Sequence, residues 1–211
     1  MFPLFQISFL SRLLDGDYDG LISVKQLKEK GDFGVGTFDA IDGEMIVLDG
    51  IVYKAKGNGT VEIADDKETV PFANVTFFEN SKSYAISKIE NYESLIQKLN
   101  EIISPKMNRF YVIKLSGAFS KIKVRSEYKQ VKPFKPLAVV MKTDETIFDY
   151  ENLDGDLVGL FCPNFMSSLN STGWHFHFIS NDKQKGGHII ELKMENAKFE
   201  FHEIDELELK N

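Results

Sequence analysis

From Phe33 to Thr76 the chain is a series of short apolar runs, "FGVGTFDA", "GEMIVLDG", "IVYKAK" and "VPFANVTFF", broken by glycines and Asp-Gly pairs. Runs this short leave no room for an ordinary helix. Asp-Gly between apolar runs signals a hairpin, because both residues tolerate the positive φ of a tight turn. The same texture returns in "RFYVIKLSGAFSKIKVRS", read as strand with a turn near Ser116-Gly117, and in "DLVGLFCP", "WHFHFIS", "HIIELKM" and "KFEFHEI". Helical signal is confined to two places. Residues 1–30 read as helical, with Phe9, Leu10, Leu13 and Leu14 on one side and Ser23 capping a short helix that Gly31 ends. "YESLIQKLNEIIS" spaces its apolar residues as an amphipathic helix, stopped by Pro105. The expectation is an α/β (α+β-like), strand-rich two-domain fold with mixed β-sheets and few helices. The polar connection "EYKQVKPFKP" suggests a boundary near residues 126–136. It divides an N-terminal mixed-sheet lobe, 1–130, from a C-terminal sheet lobe, 131–211.

Composition narrows the function classes. At 211 residues with 18 phenylalanines, the chain fills a core without disulfide staples. A net charge of −7 argues against tracking nucleic-acid phosphates, since the basic residues are scattered among acids apart from a modest cluster between Lys121 and Lys135. The single Cys162 excludes an internal disulfide and suits a reducing compartment. No stretch reaches the ~20 apolar residues that cross a bilayer. The opening "MFPLFQISFLSRLL" lacks a basic leader and a cleavage site, so it reads as mature sequence, and the expectation is a cytoplasmic protein.

The chemistry is concentrated in "GWHFHFISNDKQKGGH", Gly173 to His188, which holds three of the four histidines. On a strand, residues two apart share a face. His175 and His177 therefore lie side by side, with Trp174, Phe176 and Phe178 opposite. The polar "SNDKQKGG" supplies a turn. If that turn is two or four residues long, His188 pairs with Ile179 or His177 and joins the same face; an odd loop needs a bulge, which Gly186-Gly187 can supply. Three neutral imidazoles at one point match a catalytic zinc site that keeps a position open for water or substrate. The plainer alternative is an amphipathic strand alternating His with Phe. A cupin-type site fits poorly, because Asn181 and Asp182 stand where its glutamate belongs. His202 falls outside the pattern and reads as structural.

A three-histidine metal keeps its positive charge and draws oxygen ligands and anions, so a carboxylate to move protons and an arginine to grip a substrate carboxylate are expected nearby. Among the acids of "GDFGVGTFDAIDGEMIVLDG", Asp-Gly turns explain most. Glu44, heading an apolar strand, is the least explained. Arg125 is one of three arginines in a lysine-rich chain and reads equally well as a surface ion pair. Gly34-Val35-Gly36 lacks the third glycine and the helix of a dinucleotide loop. "DGDYDG" at Asp15 to Gly20 begins like a calcium loop but has Gln26 where the bidentate glutamate is needed.

With those residues in view, "GDFGVGTFDAIDGEMIVLDG", "VPFANVTFF", "SGAFSKIKVRS", "LVGLFCPNFM" and "GWHFHFISNDKQKGGHIIEL" resemble the α-acetolactate decarboxylase family, from about Leu13 to Glu203. The resemblance implies a two-domain α/β fold and a homodimer formed through the N-terminal sheet. It also implies one Zn2+ per chain and conversion of acetolactate to acetoin and carbon dioxide. It assigns zinc binding to His175, His177 and His188, and active-site roles to Arg125, Glu44 and Thr37. Family members usually continue into a tail that brings a second glutamate to the site; "IDELELKN" offers no position matching it.

Overall fold

The Asp-Gly punctuation turns the chain where expected. The computed structural model describes residues 2–79 and 82–211. In it Asp49 and Gly50 both have positive φ (52° and 76°), the combination a two-residue hairpin requires. Leu48 and Ile51 pair directly across that turn. In chain order the first elements are β1 (Leu4–Ile7), α1 (Leu10–Leu14), β2 (Ile22–Ser23), α2 (Val24–Lys28), β3 (Phe33–Thr37), β4 (Glu44–Leu48) and β5 (Ile51–Ala55). They are followed by β6 (Val61–Ile63), β7 (Thr69–Val70), β8 (Phe72–Thr76), β9 (Tyr84–Ile89) and α3 (Tyr92–Ile103). The last part comprises β10 (Phe110–Glu127), α4 (Leu137–Thr143), β11 (Glu145–Cys162), β12 (Gly173–Ser180), β13 (Gly186–Ile204) and β14 (Leu207–Lys210).

Seven strands form one sheet in the order β14-β1-β8-β3-β4-β5-β6, and β10-β11-β12-β13-β9 form another; β2 and β7 make a small pair. The larger sheet is mixed, because β14 runs parallel to β1 while its other neighbours are antiparallel. In the five-stranded sheet β10 pairs with β11 on one side and β13 on the other, and β12 bridges β11 to the start of β13. The strands thus close on themselves. One core lies inside this closed sheet under α3, around Leu95, Leu99, Phe119, Phe176 and Phe178. A second is sandwiched between the two sheets, around Val35, Ile46, Val158, Leu160 and Ile179. A strand-rich fold with mixed sheets and few helices is what the runs predict.

Three expectations need correction. The first thirty residues are not mainly helical: "LFQI" is β1, buried at every position between β8 and β14. The Ser23 cap is present, with Gln26 completing a reciprocal capping box, and α2 ends at Lys28. No turn divides "RFYVIKLSGAFSKIKVRS". β10 is one 18-residue strand, because Gly117 faces Gly155 and irregularities around Phe119 absorb the bend. "HIIELKM" and "KFEFHEI" likewise lie on a single strand, β13. The boundary near residues 126–136 falls at the end of β10, and neither sheet respects it. The five-stranded sheet takes β9 and β10 from before it, and the seven-stranded sheet takes β14 from the chain's last residues. α4, just after the proline-containing connection, was invisible in the sequence pattern.

Candidate metal centre

The turn after β12 contains four residues, Asn181 to Gln184. It is closed by the Ser180 N–H donating to the Lys185 carbonyl at 2.9 Å. Asp182 fastens it, accepting from the Ser180 hydroxyl at 2.6 Å and the Gln184 N–H at 3.0 Å. An even turn sets the register, and His177 and His188 are directly paired. His175 lies two residues back on the same face, while Trp174, Phe176 and Phe178 enter the core beneath α3. The three ring centroids are 4.6 to 5.4 Å apart. One nitrogen from each ring lies within 4.8 Å of the others. His175 Nε2 and His177 Nε2 are 3.1 Å apart; two nitrogens on one tetrahedral zinc, each about 2.0–2.1 Å from it, would be separated by roughly 3.3 Å.

Protonation favours ligation. The Met45 carbonyl of β4 accepts from Nδ1–H of His177 at 2.8 Å, which fixes that ring's tautomer and leaves Nε2 with a free lone pair. Burial, with Arg125 nearby, lowers His175 to about 4. Burial and the neighbouring histidines push His177 and His188 well below the ordinary histidine value. The trio is neutral at pH 7, the form that binds a metal.

The two sheets bring the remaining candidates to this face. Glu44 heads β4 opposite Thr37, and its Oε2 is 3.3 Å from His177 Nε2. Thr37 donates its hydroxyl hydrogen to the Gly43 carbonyl at 2.8 Å, tying down the turn that presents Glu44. Arg125 is paired with His188 across β10 and β13. One of its terminal nitrogens donates to Glu145 at 3.0 Å, while its buried Nε has no partner among the described residues. Two acids went unnoticed in the sequence. Glu127, two residues beyond Arg125 and so on the same face of β10, is buried beside Glu44. Glu145 is its cross-strand partner on β11. Burial, reinforced by Glu127 and opposed by Arg125, raises the Glu44 carboxyl well above the usual range. Burial also raises Glu127. Strand alternation from Arg125 was the available signal for Glu127. His202 stands apart, edge-on to Phe78 with ring centroids 4.6 Å apart.

These groups open into a cavity of about 320 Å³ between the sheets. Leu10, Leu13 and Leu14 of α1 and Leu137 and Met141 of α4 form an apolar wall, and Asn74 and Asn170 add polar groups. Another cavity of similar volume is lined by Asp32, Asp49, Phe78 and Lys114 and contains no histidine. Chemistry therefore selects the first.

A histidine trio with buried carboxyls and an arginine, facing a cavity between the sheets, defines a class: proteins able to hold a divalent metal with coordination left over for a small oxygen-rich ligand. The chain belongs to the alpha-acetolactate decarboxylase family, whose model matches residues 4–211. It is 40% identical over 194 residues to the alpha-acetolactate decarboxylase of Methanosarcina mazei, covering 92% of this chain and 67% of that protein. It is 35% identical to the Brevibacillus brevis enzyme, covering 98% of this chain and 72% of the relative. The crystal structure of alpha-acetolactate decarboxylase from Bacillus subtilis strain 168 superposes with a TM-score of 0.94 at 31% identity, covering 99% of this chain and 88% of that one.

Proposed function

We propose that the protein converts 2-acetolactate to acetoin and carbon dioxide, with one Zn2+ held by His175, His177 and His188. The convergence of three neutral imidazoles on one cavity-facing point supports this reading most directly. When bound, zinc supplies Lewis-acid stabilisation of negative charge collecting on substrate oxygens, a contribution on the order of several kcal/mol.

The chain's own residues do the rest. Arg125, with an unpartnered Nε and a guanidinium steadied by Glu145, binds and orients the substrate carboxylate. Cleavage of the bond to that carboxylate releases carbon dioxide, and the electron pair passes to the neighbouring ketone as an enediolate. A proton then returns to carbon. Glu44, whose carboxyl is raised well above the usual range by burial and by the neighbouring Glu127, is the donor facing the site. Thr37 holds the Gly43 turn and so positions Glu44. The apolar wall from α1 and α4 excludes water and accommodates the methyl groups of the substrate. The same reading carries a cytoplasmic homodimer; no helix among the described residues is long and apolar enough to cross a membrane.

Acetoin formation from acetolactate tests the proposal. The zinc-loaded protein should produce it, and His175→Ala should reduce kcat by at least about 10³-fold, as expected when a charge-stabilising group is lost. Near-normal turnover in that variant would remove the assignment.

A further inference from the structure

A chain of buried amides ends at the cavity wall opposite the backbone groups that orient it. Gln6 on β1 donates from Nε2 to two main-chain carbonyls, Ser8 at 2.8 Å and Leu169 at 2.7 Å. Carbonyls only accept, so Gln6 must present its amide oxygen to Asn170, whose Nδ2 donates to it at 2.9 Å. From the other side, the Ser171 N–H donates to Asn170 Oδ1 at 2.7 Å. Asn170 is thereby fixed at both ends, and its Nδ2 also donates to Asn74 Oδ1 at 2.8 Å. The orientation of Asn74 follows: its oxygen is turned toward Asn170, and its Nδ2 is turned away.

Asn74 is only 3% exposed, yet it lines the cavity that holds the histidines. Asn170 engages the Oδ1 of this amide, which leaves Nδ2 as the end able to meet a cavity ligand. An amide already held in one orientation at a cavity wall donates to a ligand oxygen with little further loss of freedom, which is what preorganisation contributes to binding. Apolar neighbours on the same inner face, such as Val35 and Ile46, show what the position holds where no polar contact is needed.

Resting on the decarboxylase reading of this site, we propose that Asn74 is a substrate-binding residue. It donates a hydrogen bond to a substrate oxygen, and the Gln6–Asn170 relay holds it in the donating orientation. It recognises an acceptor on the ligand. A molecule of the same shape with a methyl group at that point leaves the donor unpaired and is rejected.

Asn74→Val and Asn74→Thr test this as a matched pair, since both are β-branched and differ by one hydroxyl that can donate in place of the amide. Loss of one buried hydrogen bond corresponds to roughly a tenfold change in affinity, so Asn74→Val should raise KM for acetolactate about tenfold or more with kcat within about threefold. Asn74→Thr should keep KM within about threefold of the unsubstituted protein. An Asn74→Val variant with unchanged KM would overturn the proposal. A second measurement needs no variant: a crystal structure of the unsubstituted protein with zinc and 2,3-dihydroxy-2-methylbutanoate, in which the ketone is replaced by an alcohol so that no electron acceptor remains. Asn74 Nδ2 should lie within about 3.2 Å of a ligand oxygen, and a gap of about 4.5 Å or more contradicts the assignment. If the unsubstituted protein makes no acetoin but the analogue sits on Asn74, the decarboxylase reading fails and the donor stands.

Discussion

Three constraints meet in the ring of His177: the register with His188, the Met45 carbonyl on Nδ1, and the Glu44 carboxyl near Nε2. Its orientation therefore depends on both sheets. Cys162 shows how the same burial acts on a thiol whose hydrogen-bond partner is the adjacent Pro163 carbonyl, 3.8 Å from Sγ. It is fully buried, and burial pushes its thiol up to about 12. The sign is simple: a raised thiol pKa removes thiolate at any pH below it, and thiolate is the nucleophile. At pH 8 the thiolate fraction is about 10⁻⁴, against roughly a quarter for a free cysteine of pKa 8.5. A thiol reagent at pH 8 should therefore label the folded protein at least about 10³-fold more slowly than the unfolded chain. Comparable rates would show that Cys162 is reachable. Residue by residue, the histidines were legible because strand periodicity and their scarcity act together. Glu127 was not, since "RSEYK" has the composition of a solvated connection. In the folded chain it is buried.

Among elements, the approach of β13 to β10 places His188 beside Arg125, and Gly187 permits it. Its φ is +145°, and a Cβ there would lie 2.6 Å from the Arg125 carbonyl oxygen. A bulge at Gly186-Gly187 is expected only for an odd loop, and the loop is even. The register shift lies further along, between the pairs of Lys123 and Val124, so the glycine serves close packing instead. Gly187→Ala should cost about 1–3 kcal/mol of stability, measured by urea unfolding, through strained backbone and a forced separation of the two strands. It should also weaken metal binding. A variant as stable as the parent would show that the strands can part without cost. α3 was readable from its spacing, and Asn91 completes its capping box. The long strands were not, because Gly117 and Gly155 look like turn residues until they are seen facing each other across a ladder.

At the scale of the whole molecule, the site belongs to neither sheet alone. β12 and β13 supply the imidazoles, β4 supplies the carbonyl and carboxyl that orient and face them, and β10 supplies Arg125 and Glu127. β1 and β14 pair in parallel, joining the two ends of the chain in the larger sheet. A reading that splits the chain near residue 130 misses this interleaving, because local polarity at a connection carries no information about which distant strands pair. The His-x-His strand and its returning hairpin could be placed on one face from sequence. Their enclosure by the opposite sheet required the topology. The account rests on those three rings sharing one ion, and zinc titration of the metal-free protein measures it directly. The unsubstituted chain should bind one zinc ion tightly, and His177→Ala should lower the affinity by at least about 10³-fold, as loss of one of three protein ligands implies. Equal affinity in the two proteins, or no stoichiometric binding in either, would contradict it.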